Sequence, residues 1–186
     1  MKDFRPAIEG YLERMQALLA TLDVGEVNAL AQAVWKAYEE GRTIFIMGNG
    51  GSGATASHLA CDMNKGACFR AAKKFRFMAL TDNMATLLAL ANDAGYESVF
   101  VEQLKNFVKP GDVVIGISGS GNSKNVLSAI EYANGIGCVT VGLTGYDGGK
   151  LRKISRLSVH VKANDMQLAE DVHLMVGHIL MQALAV

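Results

Sequence analysis

Residues 44–66 read IFIMGNGGSGATASHLACDMNKG. The first five are apolar and rich in β-branched and aromatic types, which predicts a buried strand. A glycine-rich turn follows, and then an apolar helix that carries His58 and Asp62, one helical turn apart. A strand feeding a helix through a glycine turn is the building unit of a parallel α/β sheet. Working outward, four more short strand-like runs appear: FRFMALT at 75–81, DVVIGIS at 112–118, CVTVGLT at 138–144 and RLSVHV at 156–161. Helix-like segments separate most of them, so the expected fold is an α/β three-layer sandwich around a five-stranded parallel sheet. Upstream, Ile8, Tyr11, Leu12, Met15, Leu18 and Leu19 fall at helical spacing, and so do Val27, Leu30, Ala31, Val34, Trp35 and Tyr38. The break near Asp23 and Gly25 makes residues 1–40 a helical hairpin. Residues 41–186 form the α/β core, and its last helix, 167–185, is apolar nearly all round, as suits a helix that is buried or shared between subunits.

The chain has 186 residues, enough for one domain and short for two. Half of the residues are hydrophobic, and 18 basic residues balance 18 acidic ones, so no broad field recruits nucleic acid or an anionic membrane. Anion binding must therefore be local. Cys61, Cys68 and Cys138 are odd in number and share no metal-ligand spacing, which suits reduced thiols in a cytoplasm. No segment has a signal-peptide pattern or an apolar run of membrane-spanning length.

Three strands run into small, glycine- or hydroxyl-rich turns: GNGGSGATA at 48–56, SGSGNSKN at 118–125 and TGYDGGKL at 144–151. In an open parallel sheet these turns share one edge, the usual ligand crevice, where backbone N–H groups at helix N-termini meet a phosphate. Turn geometry and capping account for one such loop, but two together carry more Ser, Asn and Gly than capping needs. Gly48, Gly50 and Gly53 do satisfy GxGxxG. However, no acidic residue stands about 20 positions on, and no GxxxxGK[ST] occurs, so a nucleotide cofactor is not expected. A phosphomonoester fits better.

Titratable groups lie beside the loops. His58 and Asp62 share a helix face, and the last helix carries Glu170, Asp171, His173 and His178. Glu170 and His178 are eight apart, about 80° around the helix and about 12 Å along it. His160 and His173 are read as structural, hydrogen-bonded histidines.

The loops GNGGS, SGSGNS and TGYDGGKL and the terminal helix EDVHLMVGHIL together resemble the sugar isomerase (SIS) domain, whose fold is flavodoxin-like, and within it the phosphoheptose isomerases. The resemblance covers nearly the whole chain. It implies an intramolecular oxidoreductase, an aldose–ketose isomerase acting on a phosphorylated sugar, and a homotetramer with active sites between subunits. It implies substrate contacts from Asn49, Gly50, Gly51, Ser52, Asn92 and Asp93, with Ser118, Gly119, Ser120 and Ser123 holding the phosphate. It also implies a metal set of His58, Asp62, Glu170 and His178, with zinc as the metal. Three positions depart from the family pattern: Gly119 stands for threonine, Asp62 for glutamate and Glu170 for glutamine.

Isomerisation needs a base at the carbon beside the carbonyl and an acid at the oxygen. Asp62 is the expected base, Glu170 would face it across the pocket and share or replace that role, and His178 is the expected acid. Two other readings stand beside this one. The first is a non-catalytic phosphosugar-binding or partner-binding tetramer, like those that associate with the replication initiator DnaA. The second is an isomerase of a different sugar phosphate.

Overall fold

The computed structural model describes residues 2–186. Two helices come first, α1 over Arg5–Leu19 and α2 over Val24–Glu40. Asp23 caps α2 by accepting from the Gly25 and Glu26 N–H groups at 2.8 and 3.2 Å, which satisfies two of its free donors. Gly41, at φ +66°, ends α2 in the left-handed conformation that glycine adopts without strain. The helical hairpin read from the sequence is present.

Five strands follow, each a trimmed version of an expected run: β1 Ile44–Gly48, β2 Phe77–Ala79, β3 Val113–Ser118, β4 Val139–Thr144 and β5 Leu157–His160. They pair in the order β2-β1-β3-β4-β5, all parallel. Successive side chains point to opposite faces, so the sheet builds two cores. On one face Ile44, Ile46, Ile115, Ile117, Val141, Leu143 and Val159 pack under α2, α3 (Gly50–Cys61) and α8 (Met166–Ala183). On the other, Phe45, Met47 and Val114 meet Leu104 of α5 (Val101–Phe107) and Val126 and Ile130 of α6 (Lys124–Gly135). Each buried Val, Leu, Ile or Phe contributes about 1.5–3 kcal/mol, so these two layers are the main source of stability. The remaining helices are α4 (Met84–Ala94) and α7 (Gly149–Ile154).

The chain leaves β1 towards β2 on one side and β3 towards β4 on the other, so strand order reverses between β1 and β3. At such a switch point the two following loops part and open a crevice at the carboxyl ends of the strands. The glycine loop and the serine loop are those two.

Two helices keep an open face in the single chain. In α8 the apolar residues divide between the core and the surface. Leu168, Ala169, Val172, Val176 and Leu180 are buried, while Ile179 and His178 face outward. Helix α1 has no buried residue; it is held to α8 by Tyr11 donating to Asp171 at 2.5 Å and Arg14 pairing with Asp165 at 2.6 Å. Its outer face exposes Phe4, Ile8 and Leu12. Among the described residues, no single helix is long and apolar enough to cross a membrane.

Candidate active site

Helix α3 starts directly after β1, and the serine loop leads from β3 into α6, so two helix N-termini converge at the switch point. Between them lies a cavity of about 250 Å³, with Asn49 to Ser52 on one wall and Ser118 to Ser120 and Ser123 on the other. Eight of the ten expected substrate-binding residues therefore meet in one place. The partial positive charge at each helix N-terminus favours an anion there, and the serine hydroxyls add neutral donors. Ser118 and Ser123 already lie 3.0 Å apart, oxygen to oxygen. No lysine or arginine lines the cavity, and its sole charged group is Glu170.

Asn49 is held rather than free. Its side-chain oxygen accepts from Tyr96 Oη and Asn125 Nδ2, both at 2.8 Å, and its amide donates back to Asn125 at 3.0 Å. Neither Tyr96 nor Asn125 was singled out from the sequence. Asn125 left a signal, since a buried amide on an apolar helix needs partners. Asn92 and Asp93, the other two expected contacts, are exposed at the end of α4 and bonded to each other at 2.7 Å, away from this cavity.

Further along α3 and α8 stands a second group. The Nε2 atoms of His58 and His178 are 3.0 Å apart, and Asp62 Oδ2 lies 3.3 Å from the first and 3.8 Å from the second. Asp62 sits where α3 widens into a single π turn, Asp62–Gly66, closed by Ala67 N–H donating to Asp62 O at 2.8 Å. Such turns change the direction of a side chain relative to a regular helix, and the sequence carried no sign of this one. The donor atoms of His58, Asp62 and His178 all lie within 4.8 Å of one another, an arrangement that can hold a metal ion.

Glu170 does not join them. The expected set of two carboxylates facing each other is replaced by a separation along α8: Glu170 packs so closely on Gly51 that a Cβ there would run into its carboxylate. The reason is the helical rise, since eight residues put about 12 Å between Glu170 and His178. Gly51 is thus needed for close approach, and Glu170 belongs to the anion cavity.

The third loop also has another place. Residues 145–149 pack behind the serine loop and do not line the cavity. Asp82, too late for a dinucleotide acid, accepts from Ser57 Oγ, which also lies 2.9 Å from Thr81 Oγ1. His160 is structural as expected, its Nε2 lying 3.0 Å from the Tyr146 carbonyl. His173 is buried in the core, but its ring nitrogens find no hydrogen-bond partner among the described residues, and burial pushes its pKa down to about 4.

Fold and site together define a doubly wound α/β domain with a small polar cavity at its switch point. The family profile of the SIS domain matches residues 10–145, and the chain belongs to that family. Within it the chain is similar to phosphoheptose isomerases. The chain is similar to a probable phosphoheptose isomerase of Thermoplasma acidophilum, 35% identical over 91% of this chain and 93% of the relative. It is also similar to the phosphoheptose isomerase of Aliarcobacter butzleri, 38% identical over 77% of this chain and 76% of the relative. Among solved structures, the phosphoheptose isomerase of Neisseria gonorrhoeae superposes with a TM-score of 0.89 at 26% identity, covering 98% of each chain.

Proposed function

We propose that this chain is an aldose–ketose isomerase that interconverts sedoheptulose 7-phosphate and D-glycero-D-manno-heptose 7-phosphate through an enediol, a cytoplasmic step in heptose synthesis for surface polysaccharide. The observation that carries the reading is the layout of α3 and α8, with a neutral anion cradle at one end and the His58, Asp62, His178 group further along both helices. Residues 51 to 58 advance α3 by about 10 Å, and residues 170 to 178 advance α8 by about 12 Å. That separation suits a phosphate handle at one end of an extended seven-carbon chain and a carbonyl at the other.

In this reading the serine loop and the α3 N-terminus bind the phosphate, and that binding energy orients C1 and C2 against the distant side chains. Asp62 removes the proton from the carbon beside the carbonyl, and His178 carries a proton between the two oxygens. Glu170 stands nearer to the phosphate than to the reacting carbons and sets the charge of the cradle wall. Two imidazoles and one carboxylate are a fitting donor set for zinc, so His58, Asp62 and His178 would hold it. When bound, zinc supplies Lewis-acid polarisation of a sugar oxygen. A carboxylate engaged on a metal is less available as a base, so the two uses of Asp62 can be separated by experiment.

A homotetramer with sites between subunits belongs to the same proposal. The His58 and His178 side chains are 47% and 48% exposed, Asn92 and Asp93 face solvent, and α1 presents an apolar face. A second copy would cover these groups and complete the pocket.

The test is turnover of sedoheptulose 7-phosphate by metal-stripped and zinc-restored protein. Conversion to the aldoheptose phosphate is the expected result. Turnover that survives stripping assigns Asp62 as a free base, whereas dependence on zinc assigns it as a ligand. No conversion by either form, with the phosphosugar still bound, would overturn this assignment in favour of a non-catalytic phosphosugar-binding protein or an isomerase of a different sugar phosphate.

A further inference from the structure

An anion site made of backbone and hydroxyl donors has a weakness that a lysine-lined site lacks. Every peptide unit that offers an N–H also carries a carbonyl, and a carbonyl turned into the cavity repels the ligand. In the serine loop the four consecutive carbonyls from 118 to 121 are all taken by donors. Ser118 O accepts from Gly121 N–H at 2.9 Å, Gly119 O from Gly145 N–H at 2.8 Å and Gly121 O from Leu151 N–H at 2.8 Å. Ser120 O, the remaining one, accepts from a side chain, Asn122 Nδ2, at 3.0 Å. The N–H groups of Ser120 and Ser123 have no partner among the described residues.

Two of those four donors come from the 145–151 turn, so this turn is the backing plate of the cradle. Its contact with the loop is too tight for side chains. Gly121 is at φ +67° and Gly149 at φ +54°, and a Cβ on either would collide with the backbone of the opposing loop. Asn122 is the side chain that joins the two. It donates to Ser120 O, and its Oδ1 accepts from Lys150 N–H at 3.1 Å, in the first turn of α7. Asn122 is itself exposed and lines no part of the cavity, so nothing in its own packing calls for an asparagine.

We propose that Asn122 is a positioning residue for the phosphate: without touching the ligand, it keeps the Ser120 carbonyl out of the anion cavity and fixes the serine loop on the turn behind it. This rests on the phosphate-cradle reading above. An alanine frees both the Ser120 carbonyl and the Lys150 N–H. An aspartate keeps the acceptor for Lys150 but loses the donor to Ser120 and sets a carboxylate against that carbonyl. If the donor is what matters, aspartate is therefore no rescue.

The experiment titrates inorganic phosphate into the full-length wild-type protein, Asn122→Ala and Asn122→Asp, with binding followed by calorimetry, and measures KM and kcat for sedoheptulose 7-phosphate in parallel. The expected result is phosphate affinity and KM about tenfold worse in Asn122→Ala, at least as poor in Asn122→Asp, and kcat at saturation within about twofold of wild type. Should Asn122→Ala fold poorly, Asn122→Asp keeps one anchor and carries the test. Unchanged phosphate affinity, restoration by aspartate, or a loss confined to kcat would each overturn the proposal. Failure of the wild type itself to bind phosphate would instead overturn the cradle reading on which it rests.

Discussion

At its first turn α3 meets the anion cavity with glycines, serines and backbone N–H groups; two to three turns later it presents, with α8, two imidazoles and a carboxylate. The first end is neutral apart from Glu170 and is shaped by loops pressed tightly together. The second is made only of titratable side chains, and its two histidines are about half exposed in one chain. The contrast teaches a division of labour. Backbone donors at a helix terminus give affinity without needing a protonation state, whereas proton transfer requires groups that change theirs. In the proposed function, placing both on the same pair of rigid helices fixes the distance between phosphate handle and chemistry.

The comparison is broken most severely by Asp62→Asn. If Asp62 belongs only to the chemical end, kcat falls by about a hundredfold or more, the usual scale of a lost acid–base group, while inorganic phosphate binds as in wild type. Steady-state kinetics beside phosphate calorimetry checks both halves, and equal losses in the two would erase the distinction.

Midway along α8, His173 supplies the next largest effect, on stability rather than on rate. Burial lowers its folded pKa from 6.5 to about 4, so the unfolded chain takes up a proton first as pH falls. The contribution of neutral His173 is fully present above about pH 6.5, is reduced by about 2 kcal/mol at pH 5, and by about 3 kcal/mol at pH 4. Urea unfolding at pH 7.5 and at pH 5 should therefore show a smaller acid loss in His173→Leu than in wild type. An identical loss in both would assign the acid sensitivity to other groups.

Glu170 sharpens the contrast from the anion end. A unit charge some 6–8 Å from a phosphate costs about 2 kcal/mol per ligand charge at an effective dielectric constant near 20, before screening by salt. Glu170→Gln should tighten inorganic phosphate binding by about three- to tenfold at low salt, with the gain shrinking as salt is added. Weaker binding in the variant would place the carboxylate in a supporting role. The smallest change is expected from Ser123→Ala, which removes one neutral hydroxyl worth about 1 kcal/mol and should raise KM by about fivefold while leaving kcat nearly unchanged.

Much of this architecture was legible before any coordinates. The five strand runs, their parallel arrangement and the hairpin ahead of them follow from periodicity and from β-branched clusters bounded by glycine, signals that are local in the chain. The meeting of the two loops at one edge of the sheet was legible for the same reason, since GNGGS and SGSGNS each write their own turn. What escaped depended on contacts between distant segments. The π turn at Asp62 has no sequence mark, and the anchors of Asn49 come from residues 96 and 125. The 145–151 turn looks like a third ligand loop in sequence, because glycines needed for close backbone packing resemble glycines needed for a phosphate. Glu170 was grouped with Asp62 through the family resemblance, and the rise of α8 together with the gap left at Gly51 puts it at the other end.

The most direct test of the account is the fate of the transferred proton. The protein is incubated with sedoheptulose 7-phosphate in D₂O, and the aldoheptose phosphate is examined by NMR at C2. Deuterium at C2 is the predicted result, because a carboxylate that has taken the proton from C1 exchanges it with solvent before returning it to C2 of the enediol. Complete conversion with only protium at C2 would mean that the hydrogen passes between the carbons without exchange with solvent, as in direct hydride transfer, and would contradict Asp62 as a solvent-exchanging base.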